Sequence, residues 1–150
     1  MPFVPDDFTP PEGLDVGPYR LTPLGPEHND SDYAAWTSSI DHIRATPGFE
    51  GTSWPHEMTI DENRRDLQGH ADDFAARVGF TYTVLAPDRA TVVGCLYIYP
   101  SDAPDQHVRV RSWVRVQDAP LDAVLAAAVG DWLRTSWPFT TIEYAPRETQ

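Results

Sequence analysis

The chain has 150 residues, 41% hydrophobic and 23% charged, the size and balance of one ordinary globular domain with a single core. Its 11 basic residues are all arginines and face 23 acidic ones, for a net charge of −12; this excludes Schiff-base and lysine general-base chemistry and argues against a nucleic-acid partner, which needs a basic footprint. No apolar run approaches the roughly 20 residues that span a bilayer, and the start Met1-Pro2-Phe3-Val4-Pro5-Asp6-Asp7 lacks the basic-then-apolar order of a signal peptide, which predicts a soluble cytoplasmic protein with no membrane partner.

Residues 1–18 carry Pro2, Pro5, Pro10, Pro11 and Pro18 among Asp6, Asp7, Glu12 and Asp15. Proline fixes φ and removes a donor, so this segment reads as an extended arm ahead of a single domain over residues 19–150; Phe3, Val4, Phe8 and Leu14 can pin it to the body. Tyr19-Arg20-Leu21-Thr22-Pro23-Leu24 alternates enough for a short strand, which Gly25-Pro26 ends. A helix follows, capped by Asn29, Asp30 or Ser31. Tyr33, Trp36, Ile40 and Ile43 repeat along it at three- and four-residue steps, and it stops before Thr46-Pro47-Gly48.

A loop from Ala45 to Met58 holds Phe49, Glu50, Trp54, His56 and Glu57. Thr59-Ile60-Asp61-Glu62 then spells a capping box, opening a helix with a buried stripe of Ile60, Leu67, Ala71, Phe74 and Val78 and closing at Gly79. Three strands come in quick succession, Phe80 to Leu85, Thr91 to Tyr99 and His107 to Val116, joined by hairpins. The single Cys95 lies in the second, where it can form no internal disulfide and reads as a small core residue. Arg109, Arg111 and Arg115 on the third, with Arg134 beyond, read as a solvated face. The last helix, Leu121 to about Ser136, buries Leu121, Leu125, Ala128 and Trp132, and Thr140 to Tyr144 makes a final strand. The even spacing of His28, His42, His56 and His70 is interrupted by Pro47 and Pro55 and reads as chance. No His-x-x-x-His and no paired Asp/Glu-His spacing occurs, so a metal hydrolase is excluded and no metal is predicted.

The order is β-α-α-β-β-β-α-β. Antiparallel hairpins followed by one right-handed strand-helix-strand crossover predict an α+β fold, a mostly antiparallel sheet flanked by helices with its last strand pair parallel. Three stretches carry a likeness to a known family: the capped helix from Asp61 with Arg64, Leu67 and Phe74; the strand Phe80-Thr81-Tyr82-Thr83-Val84; and Thr91-Val92-Val93-Gly94-Cys95-Leu96. With the element order, they resemble the GNAT N-acetyltransferase superfamily, specifically its ribosomal-protein-acetyltransferase-like branch, over Tyr19 to about Tyr144. The resemblance implies an acetyl-CoA donor and an amine acceptor. It also implies a cofactor entering between the strand that ends at Val116 and the one that starts near Thr140.

That family's phosphate turn reads Arg/Gln-x-x-Gly-x-Gly/Ala, because glycine lets the backbone approach a pyrophosphate and a helix N-terminus supplies amides and a positive dipole end. Here Gln117 fills the first position, but Pro120 and Asp122 stand at the two small ones. Proline deletes an amide, Asp118 and Asp122 set carboxylates against the phosphates, and Asp118 reads as the N-cap of the helix. The family also continues past its fifth strand, where this sequence has Ala145-Pro146-Arg147-Glu148-Thr149-Gln150. An uncovered edge strand predicts a homodimer, or cover by the N-terminal arm.

Two functions follow. The first is an acetyl-CoA-dependent N-acetyltransferase-like protein acting on a small-molecule or peptide amine. The resemblance assigns the backbone of Val114, Arg115 and Val116 to the pantetheine arm and thioester, and Gln117 to the pyrophosphate. Trp54, His56 and Trp113 are the candidate acceptor contacts, and the base that takes the ammonium proton is sought among His107, His56, Glu57 and Tyr144. The acidic surface attracts a cationic amine and repels a polyanionic cofactor. The alternative is a non-catalytic GNAT-like domain that binds a ligand or a protein, with Trp54, Trp113 and Tyr99 lining the vacated cleft and Arg109, Arg111 and Arg115 pairing an acidic group.

Overall fold

The computed structural model describes residues 2–147; Met1 and residues 148–150, named above, lie outside the described residues. Six strands form one sheet in sequential order: β1 (Leu14–Val16), β2 (Tyr19–Pro23), β3 (Phe80–Leu85), β4 (Val92–Pro100), β5 (Val108–Val114) and β6 (Ile142–Tyr144). Neighbours are antiparallel except β5 and β6. Those two run parallel because α4 (Leu121–Ser136) carries the chain back between them. The fold is therefore the expected α+β arrangement, with β1 added at one edge. That strand has three residues, too few to show an alternation, and lies among prolines. Gly17-Pro18, with Gly17 at φ 56, turns it back so that Val16 pairs with Tyr19.

Each face of the sheet buries an apolar cluster. On one, α4 packs Leu121, Leu125, Val129, Trp132 and Leu133 against Phe80, Tyr82, Leu96, Ile98, Val108 and Val110. The first residues join this cluster through buried Val4 and partly buried Phe3 and Phe8, as their apolar character implied. They are tied down further by the Tyr82 hydroxyl, which donates to the Pro11 carbonyl at 2.6 Å, and by Arg77, which donates to that of Pro5 at 2.6 Å.

On the other face lie α1 (Asn29–Thr37), α2 (Ile40–Arg44) and α3 (Ile60–Ala76), around Trp36, Ile43, Phe49, Leu67, Cys95 and Trp113. The single helix expected before Pro47 is broken at Ser39, which leaves helical geometry (φ −136, ψ 24) and turns its hydroxyl to accept from the Val116 amide at 2.8 Å. Neither Asn29 nor Ser31 caps α1. The Asn29 amide donates to the Ile60 carbonyl at 3.1 Å, and the Ser31 hydroxyl accepts from the Val92 amide at 2.8 Å, so both lock α1 to its neighbours.

Helix α3 opens on the expected capping box: the Glu62 amide donates to Thr59 Oγ1 at 3.1 Å and the Thr59 amide to Glu62 Oε1 at 2.9 Å. Its end differs from expectation. Arg77 takes the left-handed conformation (φ 63), while Gly79 lies against the ring of Tyr99, where a Cβ would stand 2.1 Å from Cε1. The buried face differs too, because Ile60 and Val78 sit at the ends and are exposed. The inward line is Asn63, Leu67, His70 and Phe74, two of them polar.

Asn63 is fully used. Its Oδ1 accepts from Trp36 Nε1 at 3.0 Å, and its Nδ2 donates to Asn29 Oδ1 at 2.8 Å and to Asp32 Oδ2 at 3.0 Å, all buried. Replacing it by leucine strands these partners, so Asn63→Leu is expected to lower unfolding free energy by about 3 kcal/mol; an unchanged denaturant midpoint would show that α1 is held by apolar packing alone.

Candidate functional site

Between α1, α3 and the sheet lies a cleft of about 280 Å³. Strands β4 and β5 supply its floor, because alternate residues face one side of a sheet: Tyr97 and Tyr99 from β4 stand opposite Arg111 and Arg109 from β5. Helix α3 gives Asn63, Asp66, Leu67 and His70, helix α1 gives Asp32, and the long loop gives Phe49 and Trp54. Trp54 lies 6.4 Å from Tyr97 and 6.1 Å from Phe49 between ring centres. Trp113 is buried beneath, 6.0 Å from Trp54, and donates from Nε1 to the Tyr97 hydroxyl at 2.9 Å.

His70 is part of a chain of hydrogen bonds. The Tyr99 hydroxyl donates to Asp73 Oδ2 at 2.9 Å, and His70 Nδ1 lies 2.8 Å from the same hydroxyl oxygen and 3.1 Å from Thr81 Oγ1. Burial pushes the Tyr99 pKa up, so its one proton stays on and goes to the carboxylate. Nδ1 must then be the protonated nitrogen, which leaves the lone pair on Nε2. Burial lowers the His70 pKa, outweighing Asp73 and Asp66, so the ring is held neutral and able to accept a proton.

Asp32 is the opposite case. It is 4% exposed, accepts one hydrogen bond from Asn63, and pairs with no cation among the described residues. Burial raises its pKa to about 6, the Asn63 bond lowers it, and the like charge of Asp66 adds to the rise.

The slot between β5 and β6 lies on the far side of β5. The strands pair only from Val108 to Val110 against Ile142 to Tyr144, and β5 continues alone to Val114. Arg115 donates its amide to Val93 of β4, so by alternation Ser112 and Val114 turn their backbone groups toward the slot. The chain's own residues fill it. Arg147, 5% exposed, donates to the Ser112 carbonyl at 2.7 Å and to Asp122 Oδ2 in the first turn of α4 at 2.7 Å, and the Tyr144 hydroxyl bonds the Ser112 hydroxyl.

The start of α4 does not fit the pyrophosphate of a coenzyme A. Pro120 has no amide, the amides of Asp118, Ala119 and Asp122 are spent within the turn, and two carboxylates stand there. Asp118 is not the N-cap as expected; it pairs with Arg115, while Pro120 occupies the cap position.

The residues singled out in the sequence are thus dispersed. Trp54 lines the cleft with Tyr99, Arg109 and Arg111, and Trp113 supports it from below. Arg109 also pairs with Glu143, and Arg115 and Arg134 pair with Asp118 and Asp131, so the four arginines are not one solvated face. His56 and Glu57 lie on a separate groove against α1 and α2. His107 lies just before β5 and outside the cleft, its Nε2 3.2 Å from the Phe3 carbonyl and its ring edge-on to Phe3 and Phe139. Tyr144 is in the slot, its pKa raised to about 12 by burial. Val114 faces the slot, the Arg115 and Val116 amides are bonded to Val93 and Ser39, and Gln117 is exposed. Asp32, Asn63, Asp66, His70 and Tyr97 were not anticipated; polar residues at 63 and 70, in line with Leu67 and Phe74, were the available signal. Among the described residues no three His, Cys, Asp or Glu could together hold a metal, and no helix is long and apolar enough to cross a membrane.

No family model matches the chain, and no curated protein matches it by sequence. Solved structures match it in fold. RimJ of Mycobacterium smegmatis in complex with CoA-disulfide gives a TM-score of 0.66 at 14% identity, over 88% of this chain and 64% of that one. An acetyl transferase from Salmonella typhimurium, which modifies the N-terminal serine of 50S ribosomal subunit protein L7/L12, gives 0.62 at 12% identity, over 84% and 71%. The microcin C7 self immunity acetyltransferase MccE, in complex with acetyl-CoA and AMP, gives 0.60 at 10% identity, over 83% and 66%. The chain spans about two thirds of the length of these structures, and 65% of a probable acetyltransferase that also matches. It has the fold of the GNAT acetyltransferases, ribosomal-protein acetyltransferases among them.

The Asp32 carboxyl binds a proton more tightly folded than unfolded, so it stabilises the protein least where it is ionised. Its contribution falls by about 3 kcal/mol as pH rises from about 4 to about 6. Asp32→Asn keeps an acceptor for Asn63 and should remove that slope, raising stability at neutral pH; melting curves across this range, for both proteins, check it.

Proposed function

We propose that this chain uses a GNAT-type scaffold to bind a small amine-bearing ligand in the cleft between α1, α3 and strands β4 and β5, without turning over acetyl-CoA while residues 145–147 occupy the slot. One observation carries the reading: the cleft is open and lined by aromatics and a buried carboxylate, whereas Arg147, Asp122 and Ser112 close the place where a pyrophosphate would sit. Trp54 and Tyr97 offer ring faces to an ammonium, and Asp32 and Asp66 offer charge. Filling a slot with a buried arginine bonded to a carboxylate and a carbonyl is costly to undo, because a departing guanidinium leaves Asp122 unpaired.

A second reading keeps the reaction for which the solved structures are named. It is favoured by the neutral His70, whose Nε2 could take a proton from an ammonium in the cleft, and by the Val114 amide turned into the slot. It requires residues 145–147 to leave. A peptide amine, the acceptor of the ribosomal-protein acetyltransferases, belongs to this second reading.

Calorimetry separates the two. The intact protein is expected to give no heat with acetyl-CoA at millimolar concentration, while benzylamine raises its melting temperature and Trp54→Ala removes that rise. Acetyl-CoA binding by the intact protein, or its appearance in Arg147→Ala together with acetylation of an amine, would favour the second reading.

A further inference from the structure

The cleft contains two opposite charges that do not meet. Asp32 descends from α1, which packs on β4, and is paired with no cation among the described residues. Arg111 stands on β5, half-buried, its stem against Gly48, with no carboxylate or carbonyl partner among the described residues. Tyr97, its neighbour across the strands, lines the same floor. The adjacent Arg109 is already met by Glu143, so Arg111 is the cation left for something else, and Asp66 strengthens the acidic side.

Desolvated charges are normally paired, and the few that are not mark where a charged ligand completes the site. A simple amine would answer Asp32 and leave Arg111 facing another cation's field. A simple carboxylate would answer Arg111 and face Asp32 and Asp66. Resting on the reading that the cleft takes a small amine, we propose that its ligand is a zwitterion whose ammonium is held by Asp32 and whose carboxylate is held by Arg111, with an apolar or aromatic body between Trp54, Phe49 and Tyr97.

The volume limits the size. At about 280 Å³ the cleft is at the small end of ligand sites, fitting a molecule no larger than an amino acid or a dipeptide. Asp32 comes from α1 and Arg111 from the β5 floor, so the ligand's two charged groups have to reach different elements of the cleft, as groups at opposite ends of one body can. Nothing in this recognition uses the slot or a cofactor.

The test compares three probes of one shape: 4-(aminomethyl)benzoate, which carries both charges, benzylamine, which has only the ammonium, and benzoate, which has only the carboxylate. Calorimetry on the full chain at neutral pH should show the zwitterion binding about tenfold more tightly than either of the others, as one additional charge-assisted contact predicts. Arg111→Gln should erase its advantage over benzylamine, and Asp32→Asn its advantage over benzoate. Both variants must melt as cooperatively as the parent. Benzylamine binding as tightly as the zwitterion, with the binding lost in Trp54→Ala, would overturn the zwitterion and leave the amine cleft standing. Binding of none of the three would overturn both. An advantage that survives Arg111→Gln would also overturn the assignment.

Discussion

The side-chain amide of Asn63 holds together the half of the molecule that contains the cleft. One acceptor and two donors, all buried, reach Trp36, Asn29 and Asp32, so one residue of α3 ties down three residues of α1. Its placement is set upstream. The Thr59 and Glu62 capping box starts α3, which puts residue 63 on the first inward turn and His70 two turns further along the same line. Asp32 can be kept from water at this position only because Asn63 donates to it, and the donated bond lowers its pKa less than burial raises it. The roof of the cleft and the charge within it therefore come from one contact.

One face of β5 and its free edge have been put to different uses. Toward α1 and α3, its alternate residues Arg109, Arg111 and Trp113 build and support an open cleft. Toward β6, the strand loses its partner after Val110, and exposed backbone acceptors in a protein interior need donors. Arg147 supplies one and neutralises Asp122 with the same guanidinium, while Arg115 neutralises Asp118. Each carboxylate that would repel a phosphate at the tip of α4 thus has its own arginine. The likeness to acetyltransferases at 10–14% identity concerns the path of the backbone. What occupies the tip of α4 is decided by a few side chains, and a fold supports many such choices.

Much of this architecture could be read from local patterns. The capping box, the three hairpin strands and α4 have strong periodicity or strong end signals, and they stand within two residues of where the pattern placed them, the third strand ending at Val114 rather than Val116. The misfit at the phosphate turn was legible for a related reason, since the missing Pro120 amide is covalent and does not depend on surroundings. Other elements depended on distant partners. Ser39 breaks a helix because its hydroxyl serves Val116, a residue 77 positions away. Three-residue β1 exists because β2 offers it a paired edge, and Gly79, instead of turning the chain out of α3, makes room for the Tyr99 ring while Arg77 takes the left-handed turn. Trp54, Tyr99, Arg109 and Arg111 were recognisable as candidates by chemical type, yet Asp32 and His70 looked like ordinary positions on amphipathic helices.

The sequence by itself determined the fold class, the parallel final pair, the absence of lysine chemistry and the poverty of amides at the start of α4, because each follows from composition, periodicity or bonds within a few residues. Only the tertiary structure decided that Asp32, His70, Tyr97 and Arg111 share one cleft and that Arg147 returns to fill the slot. Those outcomes arise from side chains far apart in the chain meeting across the sheet, where burial shifts the protonation of Asp32 and His70 and leaves Asp32 and Arg111 without an opposite charge among the described residues.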